Sequence, residues 1–273
     1  MALTLMAVHA HPDDEAIGTG GILARAAAEG IRTVVVTCTN GEYGDGPGGV
    51  KPGQEGHDPE AVAKVRKAEL EAACRALNVT HLEMLGYHDS GMVDWEYKAN
   101  QGVFARVPLE EATQRLAALF EHYRPDVVVT YEEESAYDHP DHVQTARVTL
   151  ATAKATGIPR KLYLTALSLK NWQKLATMMQ ERGIESPFSD PDPAWVERLQ
   201  ASEAKITTAV DVKAYAQAKR AAVQAHASQM DESFFNKLPP DLFDFAFGEE
   251  TFIRASDTTG VPVPEVDLFA GLR

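Results

Sequence analysis

The chain has 273 residues, of which 44% are hydrophobic, and its formal net charge is −14. That length suits one large domain, and the acidic charge disfavours phosphate backbones and anionic lipid as partners. We therefore expect neither a nucleic-acid-binding nor a membrane-binding protein. The two cysteines, Cys38 and Cys74, lack the paired spacing of a disulfide framework or a thiolate metal site, which favours the cytoplasm. The first ten residues have no basic head, so we expect no export signal.

Short apolar runs alternate with amphipathic stretches of helical length along the first two thirds of the chain. The predicted strands cover residues 3–9, 33–37, 81–85, 126–131 and 162–169. The predicted helices cover residues 16–29, 59–77, 109–123 and 142–155. The strand sequences TVVVT and DVVVT are β-branched and apolar, as is typical of strands covered on both faces. The pattern predicts an α/β fold: a Rossmann-like, doubly wound, mostly parallel sheet with helices on both faces.

Beyond about residue 170 the alternation becomes less regular. In this region we expect a proline-rich surface loop, a strand, a helix and an extended, weakly held tail, over residues 183–195, 204–210, 213–227 and 258–273. We interpret the chain as a single domain over residues 1–273, with a Rossmann-like core over residues 1–170 and a C-terminal elaboration over residues 171–273.

Three long connections follow predicted strands, over residues 40–58, 86–107 and 132–141. By the strand order each leaves the carboxyl end of a strand, which is the edge where open α/β sheets bind ligands. We therefore expect functional loops at this edge. Composition alone does not decide whether the glycine-rich residues 41–59 form a lid.

Two of the strands end in similar clusters of histidine and acidic residues. HPDDE, residues 11–15, follows the first strand, and HPDH, residues 139–142, follows the fourth. In a doubly wound sheet of the common order these strands are neighbours, so the two clusters face each other across a crevice. Acids as close as Asp13 and Asp14 repel each other unless a cation compensates their charge. Two imidazoles and a carboxylate with an open fourth position are typical of catalytic zinc, and iron(II) would also accept them.

Each cluster also has a simpler explanation when it is taken alone. Helix capping by an aspartate, with proline near the first turn, would account for HPDDE, and capping with packing would account for HPDH. Their joint occurrence at two strand ends favours the metal site. The glycines Gly18, Gly20 and Gly21 follow the acids too late for a dinucleotide-binding fingerprint, so we assign them to close packing of helix against sheet.

With AHPDDE and HPDH both present, the chain resembles the PIG-L/LmbE-like family of metal-dependent N-acetylglucosaminyl deacetylases. The likeness covers residues 3–169 and returns in KRAAVQAHASQ, residues 219–229. YHDSGM, residues 87–92, and FARVPLEEA, residues 104–112, are similar to the branch with the mycothiol-pathway deacetylase and the mycothiol S-conjugate amidase. The resemblance implies a zinc-dependent hydrolase that removes an N-acetyl group from an N-acetylglucosamine-containing small molecule, releasing acetate and an amine.

The resemblance also implies roles for residues of the two clusters. It implies that His11, Asp14 and His142 bind zinc. It further implies that Asp13 is the general base and that His139 stabilises the charge that develops in the reaction.

Four further residues match the family less specifically. Tyr137 resembles a tyrosine that polarises the substrate carbonyl, and Arg66, Asp89 and Glu42 fall where the branch contacts substrate. Arg66 has the alternative of a solvated ion pair with Glu69 on its own helix. Asp89 has the alternative of a turn former, and Tyr137 that of a half-buried loop residue.

Two other functions stay open on the sequence. The same metal site would serve an amidase that cleaves a larger acyl group, as in an S-conjugate, or a non-catalytic metal-dependent sugar-binding protein. In each case the expected partner is a small-molecule acylated amino sugar or glycoside. His226 lies on a predicted helix, and we interpret it as a packing histidine, with a place at the rim of the site as the alternative. The sequence does not fix the metal, the aglycone or the number of subunits.

Overall fold

The computed structural model describes residues 2–95, 101–186, 191–230 and 233–273. The strands in this part of the chain are β1 (Thr4–His9), β2 (Arg32–Thr39), β3 (His81–Tyr87), β4 (Val127–Tyr131), β5 (Lys161–Ala166), β6 (Thr208–Asp211) and β7 (Glu249–Asp257). The helices are α1 (Asp14–Ala28), α2 (Pro59–Ala76), α3 (Leu109–Tyr123), α4 (Pro140–Thr156), α5 (Leu169–Gln180), α6 (Pro193–Glu203), α7 (Ala216–Ala225), α8 (Ala227–Met230), α9 (Phe234–Lys237) and α10 (Pro240–Phe247).

Within the described ranges, seven strands form one sheet in the order β3-β2-β1-β4-β5-β7-β6. Strands β1 to β5 are parallel, and β1 pairs with β4 so that Leu5 lies opposite Val127. Strand β7 is antiparallel to β5, and β6 is antiparallel to β7. The predicted doubly wound, mostly parallel sheet is confirmed, as is the predicted adjacency of the first and fourth strands.

Apolar side chains on the two faces of the sheet form two separate cores, because successive residues of a strand point to opposite sides. Leu5 and Ala7 pack with α1, α2, α7 and α10 on one face. Met6 and Val8 pack with α3 and α4 on the other face. Burial on both faces explains why these strands are apolar throughout their length.

The C-terminal third contains more regular structure than the sequence predicted. Helix α5 and the long strand β7 had no clear sequence signal. Helix α6 begins inside the predicted surface loop over residues 183–195. Residues 187–190 of that loop lie outside the described residues. The predicted strand over residues 204–210 is the shorter β6, and the predicted helix over residues 213–227 is interrupted at His226, the C-cap of α7.

The expectation of a weakly held tail is wrong. Glu265 is 4% exposed, and its carboxylate accepts hydrogen bonds from Lys161 Nζ and Tyr163 Oη on β5. Leu268 and Phe269 are buried in the core beside α1. Glu265 therefore anchors the tail. The sequence gives no local sign of this, because the partners of Glu265 lie about 100 positions away.

Helix α1 approaches β7 and the residue after β6 closely at Gly21. A Cβ atom on Gly21 would lie 2.5 Å from Cγ2 of Val212 and 2.8 Å from Oε1 of Glu250. Glu250 uses this proximity to accept hydrogen bonds from the backbone N–H groups of Gly21 and Ile22. The geometry supports the assignment of Gly21 to close packing. The same assignment is wrong for Gly18, where a Cβ atom would have its nearest neighbour at 3.9 Å.

None of the helices in the described part of the chain combines the length and the apolar character needed to span a lipid bilayer.

Candidate metal centre and active site

Three side chains converge at the carboxyl ends of β1 and β4. One donor atom each from His11, Asp14 and His142 lies within 4.8 Å of the others. Nε2 of His142 is 3.2 Å from Oδ1 of Asp14, and Nδ1 of His11 is 3.4 Å from Oδ2 of the same carboxylate. Two imidazole nitrogens and a carboxylate oxygen at this spacing are suitable ligands for Zn²⁺ or Fe²⁺.

Hydrogen bonds and a ring contact hold these three side chains in position. Asp14 begins α1, and its carboxylate accepts a hydrogen bond from the backbone N–H of His11 at 2.8 Å. The His142 ring lies in the first turn of α4 and stacks on Tyr131 at a centroid distance of 4.1 Å. The Tyr131 hydroxyl accepts a hydrogen bond from the N–H of Ala10 at 2.8 Å, so the ends of β1 and β4 are tied together.

The electrostatics of the centre favour an ionised carboxylate. Burial opposes ionisation of Asp14, but the neighbouring His142 and His11 hold its pKa well below the usual range. Burial likewise opposes protonation of His11, yet Asp89, Asp14 and Asp141 raise its pKa well above that of a free imidazole. The negative charges of these acids favour a positive charge between them. A bound divalent cation would supply that positive charge.

Asp141 is a member of this site to which the sequence analysis gave no role. It is fully buried, and its carboxylate accepts hydrogen bonds from the backbone N–H and the hydroxyl of Ser90. Its Oδ2 also lies 3.2 Å from Nε2 of His11. A carboxylate behind a metal-binding imidazole fixes the ring orientation and the tautomer. Its position inside HPDH was the only signal for this role.

A second group of donor atoms shares His11 with the first. His11, Asp89, His139 and Asp141 are all buried, and their donor atoms lie within 4.8 Å of one another. Because Asp141 already accepts two hydrogen bonds from Ser90, we interpret it as orienting His11 and assign the metal to the first group.

His139 lies beside the three converging side chains and is the N-cap of α4. Its Nδ1 accepts a hydrogen bond from the backbone N–H of Asp141 at 3.2 Å, which leaves the ring proton on Nε2. Burial, together with the charge of His11, lowers the pKa of His139 to about 3. The ring is therefore a neutral N–H donor at neutral pH.

Asp13 has an unusual backbone and a restrained carboxylate. Its φ of 119° lies in the region that favours glycine. Nη2 of Arg66 donates to Oδ2 of Asp13 at 2.9 Å and to the carbonyl of Pro12, and Nη1 donates to the carbonyl of Gly41. Burial raises the pKa of Asp13 to about 6, although Arg66 opposes this shift.

These contacts decide between two explanations of Arg66. The alternative of an ion pair with Glu69 is wrong, because Glu69 accepts hydrogen bonds from the N–H and the hydroxyl of Ser228 instead. Arg66 is 4% exposed and is directed at the HPDDE loop.

A cavity of about 220 Å³ opens over the centre. Its lining includes Asp89, whose Oδ1 also accepts a hydrogen bond from the N–H of Gly91 at 2.8 Å, as a turn former would. Tyr137 is 51% exposed at the rim, and its ring meets that of His142 edge-on at 4.9 Å. Glu42 is not among the lining residues. Its carboxylate binds Nδ1 of His88 at 2.6 Å and the N–H of Asp89 at 3.1 Å, behind the cavity wall.

The fold and the site define an α/β protein of the doubly wound class with a candidate metal centre at the carboxyl edge of its sheet. The profile of the PIG-L family, described as GlcNAc-PI de-N-acetylase, matches residues 6–153. The chain belongs to this family. The matched region contains both the HPDDE and the HPDH clusters.

Individual relatives agree with the profile. The chain is 35% identical to a 1D-myo-inositol 2-acetamido-2-deoxy-alpha-D-glucopyranoside deacetylase of Acidothermus cellulolyticus, over 100% of this chain and 96% of the relative. Among solved structures, N,N'-diacetylchitobiose deacetylase from Pyrococcus horikoshii superposes with a TM-score of 0.61 and 20% identity, covering 93% of this chain and 84% of the other. The 4-carboxy-2-hydroxymuconate hydratase of Pseudomonas putida superposes with a TM-score of 0.58 and 15% identity, covering 95% and 99%. Because that fold also carries a hydratase, function has to be argued from the site.

Proposed function

We propose that this protein is a zinc-dependent hydrolase that removes the N-acetyl group from an N-acetylglucosamine-containing small molecule, releasing acetate and a free amine. The observation that carries the proposal is the position of Asp13. Its carboxylate is held by Arg66 beside the three candidate metal ligands, and it does not belong to either group of donor atoms. A sugar-binding protein without turnover would have no use for a second, separately restrained acid at this point.

The proposed mechanism assigns one task to each side chain. A zinc ion held by His11, Asp14 and His142 would make water nucleophilic near pH 7 and polarise the amide carbonyl. Asp13 takes the proton of the attacking water and returns it to the departing nitrogen, acting as base and then as acid. A pKa of about 6 leaves Asp13 ionised at neutral pH and still basic enough to accept that proton.

The developing negative charge on the carbonyl oxygen needs a donor that does not have to lose water first. His139 supplies one, since its Nε2–H is preformed by the hydrogen bond that its Nδ1 accepts from Asp141. Tyr137 lies at the rim within ring contact of His142, and its hydroxyl is the second donor in the proposal.

We propose an uncharged acylated amino sugar or glycoside as the substrate. The described cavity lining contains the carboxylates of Asp13, Asp14 and Asp89, and Arg66 already binds Asp13 and two backbone carbonyls. Hydroxyl groups of a sugar can donate hydrogen bonds to such carboxylates. In this proposal Asp89 takes the substrate role, while Glu42 supports it from behind.

The test is amine release from N-acetylglucosaminyl inositol and from simple N-acetylglucosamine glycosides by the zinc-loaded protein. Asp13→Asn should retain zinc and lose at least about 100-fold in kcat, the scale of general acid–base catalysis. Near-normal turnover by that variant would remove Asp13 from the mechanism. Faster hydrolysis of a bulky cysteinyl amide than of the acetamide would favour the amidase alternative, and intact sugar after long incubation would favour the binding protein.

We also propose that the protein acts in the cytoplasm. Both cysteines are buried as free thiols, Cys38 in the core and Cys74 on α2, which is consistent with a reducing compartment.

A further inference from the structure

Glu15 and His226 form a buried pair directly behind the HPDDE loop. Both side chains are 0% exposed, and Nε2 of His226 lies 2.7 Å from Oε1 of Glu15. Glu15 belongs to the first turn of α1, whereas His226 is the C-cap of α7, more than 200 positions away. Burying the carboxylate of Glu15 removes it from water, which costs free energy. Packing alone does not account for a charged residue at this position.

The second oxygen of the Glu15 carboxylate contacts the backbone of Asp13. Oε2 accepts a hydrogen bond from the backbone N–H of Asp13 at 3.0 Å. Asp13 is the residue with φ of 119°, a conformation that is strained for any residue other than glycine. Such a conformation persists only where the surroundings hold it. Glu15 holds the amide side of Asp13, while Arg66 holds its carboxylate.

We propose that His226 is a positioning residue for the reaction, acting through Glu15 to fix the backbone of Asp13 and so to aim its carboxylate. The inference rests on the proposed function in that Asp13 is taken as the base. His226 Nε2–H donates to Oε1 of Glu15, and this leaves Oε2 directed at the Asp13 amide. His226 Nδ1 has no hydrogen-bond partner among the described residues, so the ring's polar contact in this region is the one to Glu15.

Substitutions of His226 can be chosen by how far the nitrogen of the new side chain extends. The amide nitrogen of glutamine extends about as far as Nε2 of histidine, whereas that of asparagine ends near Nδ1. His226→Asn should therefore lose the contact with Glu15, and His226→Gln should restore it. Lys219→Met is the matched control, because Lys219 is a buried donor on the same helix that binds Glu250 at 2.6 Å, away from Asp13.

We expect kcat of His226→Asn to fall about 10- to 100-fold, the scale of a misplacement of about 1 Å, with KM and zinc content unchanged. His226→Gln should recover most of this loss, and Lys219→Met should lower thermal stability while kcat stays at the wild-type value. In an Asp13→Asn background, His226→Asn should cost nothing further, because the residue acts only through Asp13. A loss that adds fully to that of Asp13→Asn would overturn the proposal.

Amide hydrogen exchange of peptides covering residues 10–16 gives a readout that does not depend on activity. Exchange of the Asp13 amide should accelerate at least about tenfold in His226→Asn and stay slow in His226→Gln and Lys219→Met. If His226→Asn does not fold, Glu15→Gln provides the same test, since an amide can satisfy only one of its two donors. Exchange of the Asp13 amide that is as slow in His226→Asn or Glu15→Gln as in the wild type would overturn the positioning role. Absence of turnover by the wild-type protein, with the exchange pattern as expected, would instead refute the proposed function alone.

Discussion

The backbone N–H of Asp141 donates a hydrogen bond to Nδ1 of His139 at 3.2 Å. This contact determines which ring nitrogen carries the proton, and it makes His139 a neutral donor directed away from its own helix. We therefore expect His139→Ala to lower kcat about 100- to 1,000-fold, the effect of removing one preorganised donor. Zinc content should stay at the wild-type value, because His139 is outside the three proposed ligands.

Steady-state kinetics and metal analysis on the same preparation check this prediction. A variant that loses zinc together with activity would show that His139 is a ligand, as its membership of the second donor group allows.

His142→Ala should abolish stoichiometric zinc binding. It removes one of the three proposed ligands and leaves Asp14 facing His11 alone. It also removes the ring that stacks on Tyr131, so the thermal stability of the metal-free protein should fall as well. His122→Ala, at an exposed histidine on α3, is the matched control and should bind zinc normally. Normal zinc content in His142→Ala would exclude the proposed ligand set.

Gly21→Ala should destabilise the protein by about 1–3 kcal/mol, because the new methyl group would overlap Val212 and Glu250. Gly18→Ala on the same helix is the control. A Cβ atom there meets its nearest neighbour only at 3.9 Å, and the gain in helix propensity is worth about 1 kcal/mol. Denaturant unfolding of both variants checks the pair. Equal stabilities would contradict the close approach of α1 to β7.

Glu265→Gln should cost about 3–5 kcal/mol of unfolding free energy, because it leaves the fully buried Lys161 without its counter-charge. The neighbouring Val266 is 74% exposed, and Val266→Ser should change stability by no more than about 0.5 kcal/mol. Zinc binding should be unchanged in both variants. A Glu265→Gln protein as stable as the wild type would show that the tail is held by its apolar contacts alone.

The stability contributed by Asp257 should depend on pH. Burial would raise the pKa of its carboxyl, but hydrogen bonds from Thr259 and Gly260 lower it overall. A depressed pKa means that the ionised group stabilises the fold above the unfolded value of about 3.9 and loses this effect as the pH falls through the folded value. Asp257→Asn should therefore cost about 1 kcal/mol at pH 6, and less below pH 4.

Urea unfolding of the wild type and Asp257→Asn between pH 3 and pH 6 measures that difference. A constant difference across this interval would show that ionisation of Asp257 does not contribute to stability.

The sequence could predict the residues whose positions follow from the strand order. HPDDE and HPDH each end a strand whose apolar pattern is plain, and the usual strand order makes those strands neighbours. Convergence of His11, Asp14 and His142 then follows without any knowledge of side-chain conformations.

The remainder depends on contacts that no local pattern encodes. Strand β7 lies between β5, with which it pairs over residues 251–257, and the short β6, with which it pairs over residues 249–252, and neither partner adjoins it in the sequence. Arg66 could have paired with Glu69 one turn away, but backbone carbonyls of two distant loops compensate it better in a buried position. Glu15 is visible in the motif, yet its role depends on a histidine that the chain supplies more than 200 residues later.

The pairing of β1 with β4 also has a consequence for biosynthesis. His11 and Asp141 are 130 positions apart, so a nascent chain that has not yet extended past α4 exposes its cluster of acids without their partners. Domains fold as units once enough chain has left the ribosome, and the three proposed ligands are all present only after His142 has been synthesised. On the proposed ligand set, a product truncated before residue 139 would lack His142 and should bind no stoichiometric zinc.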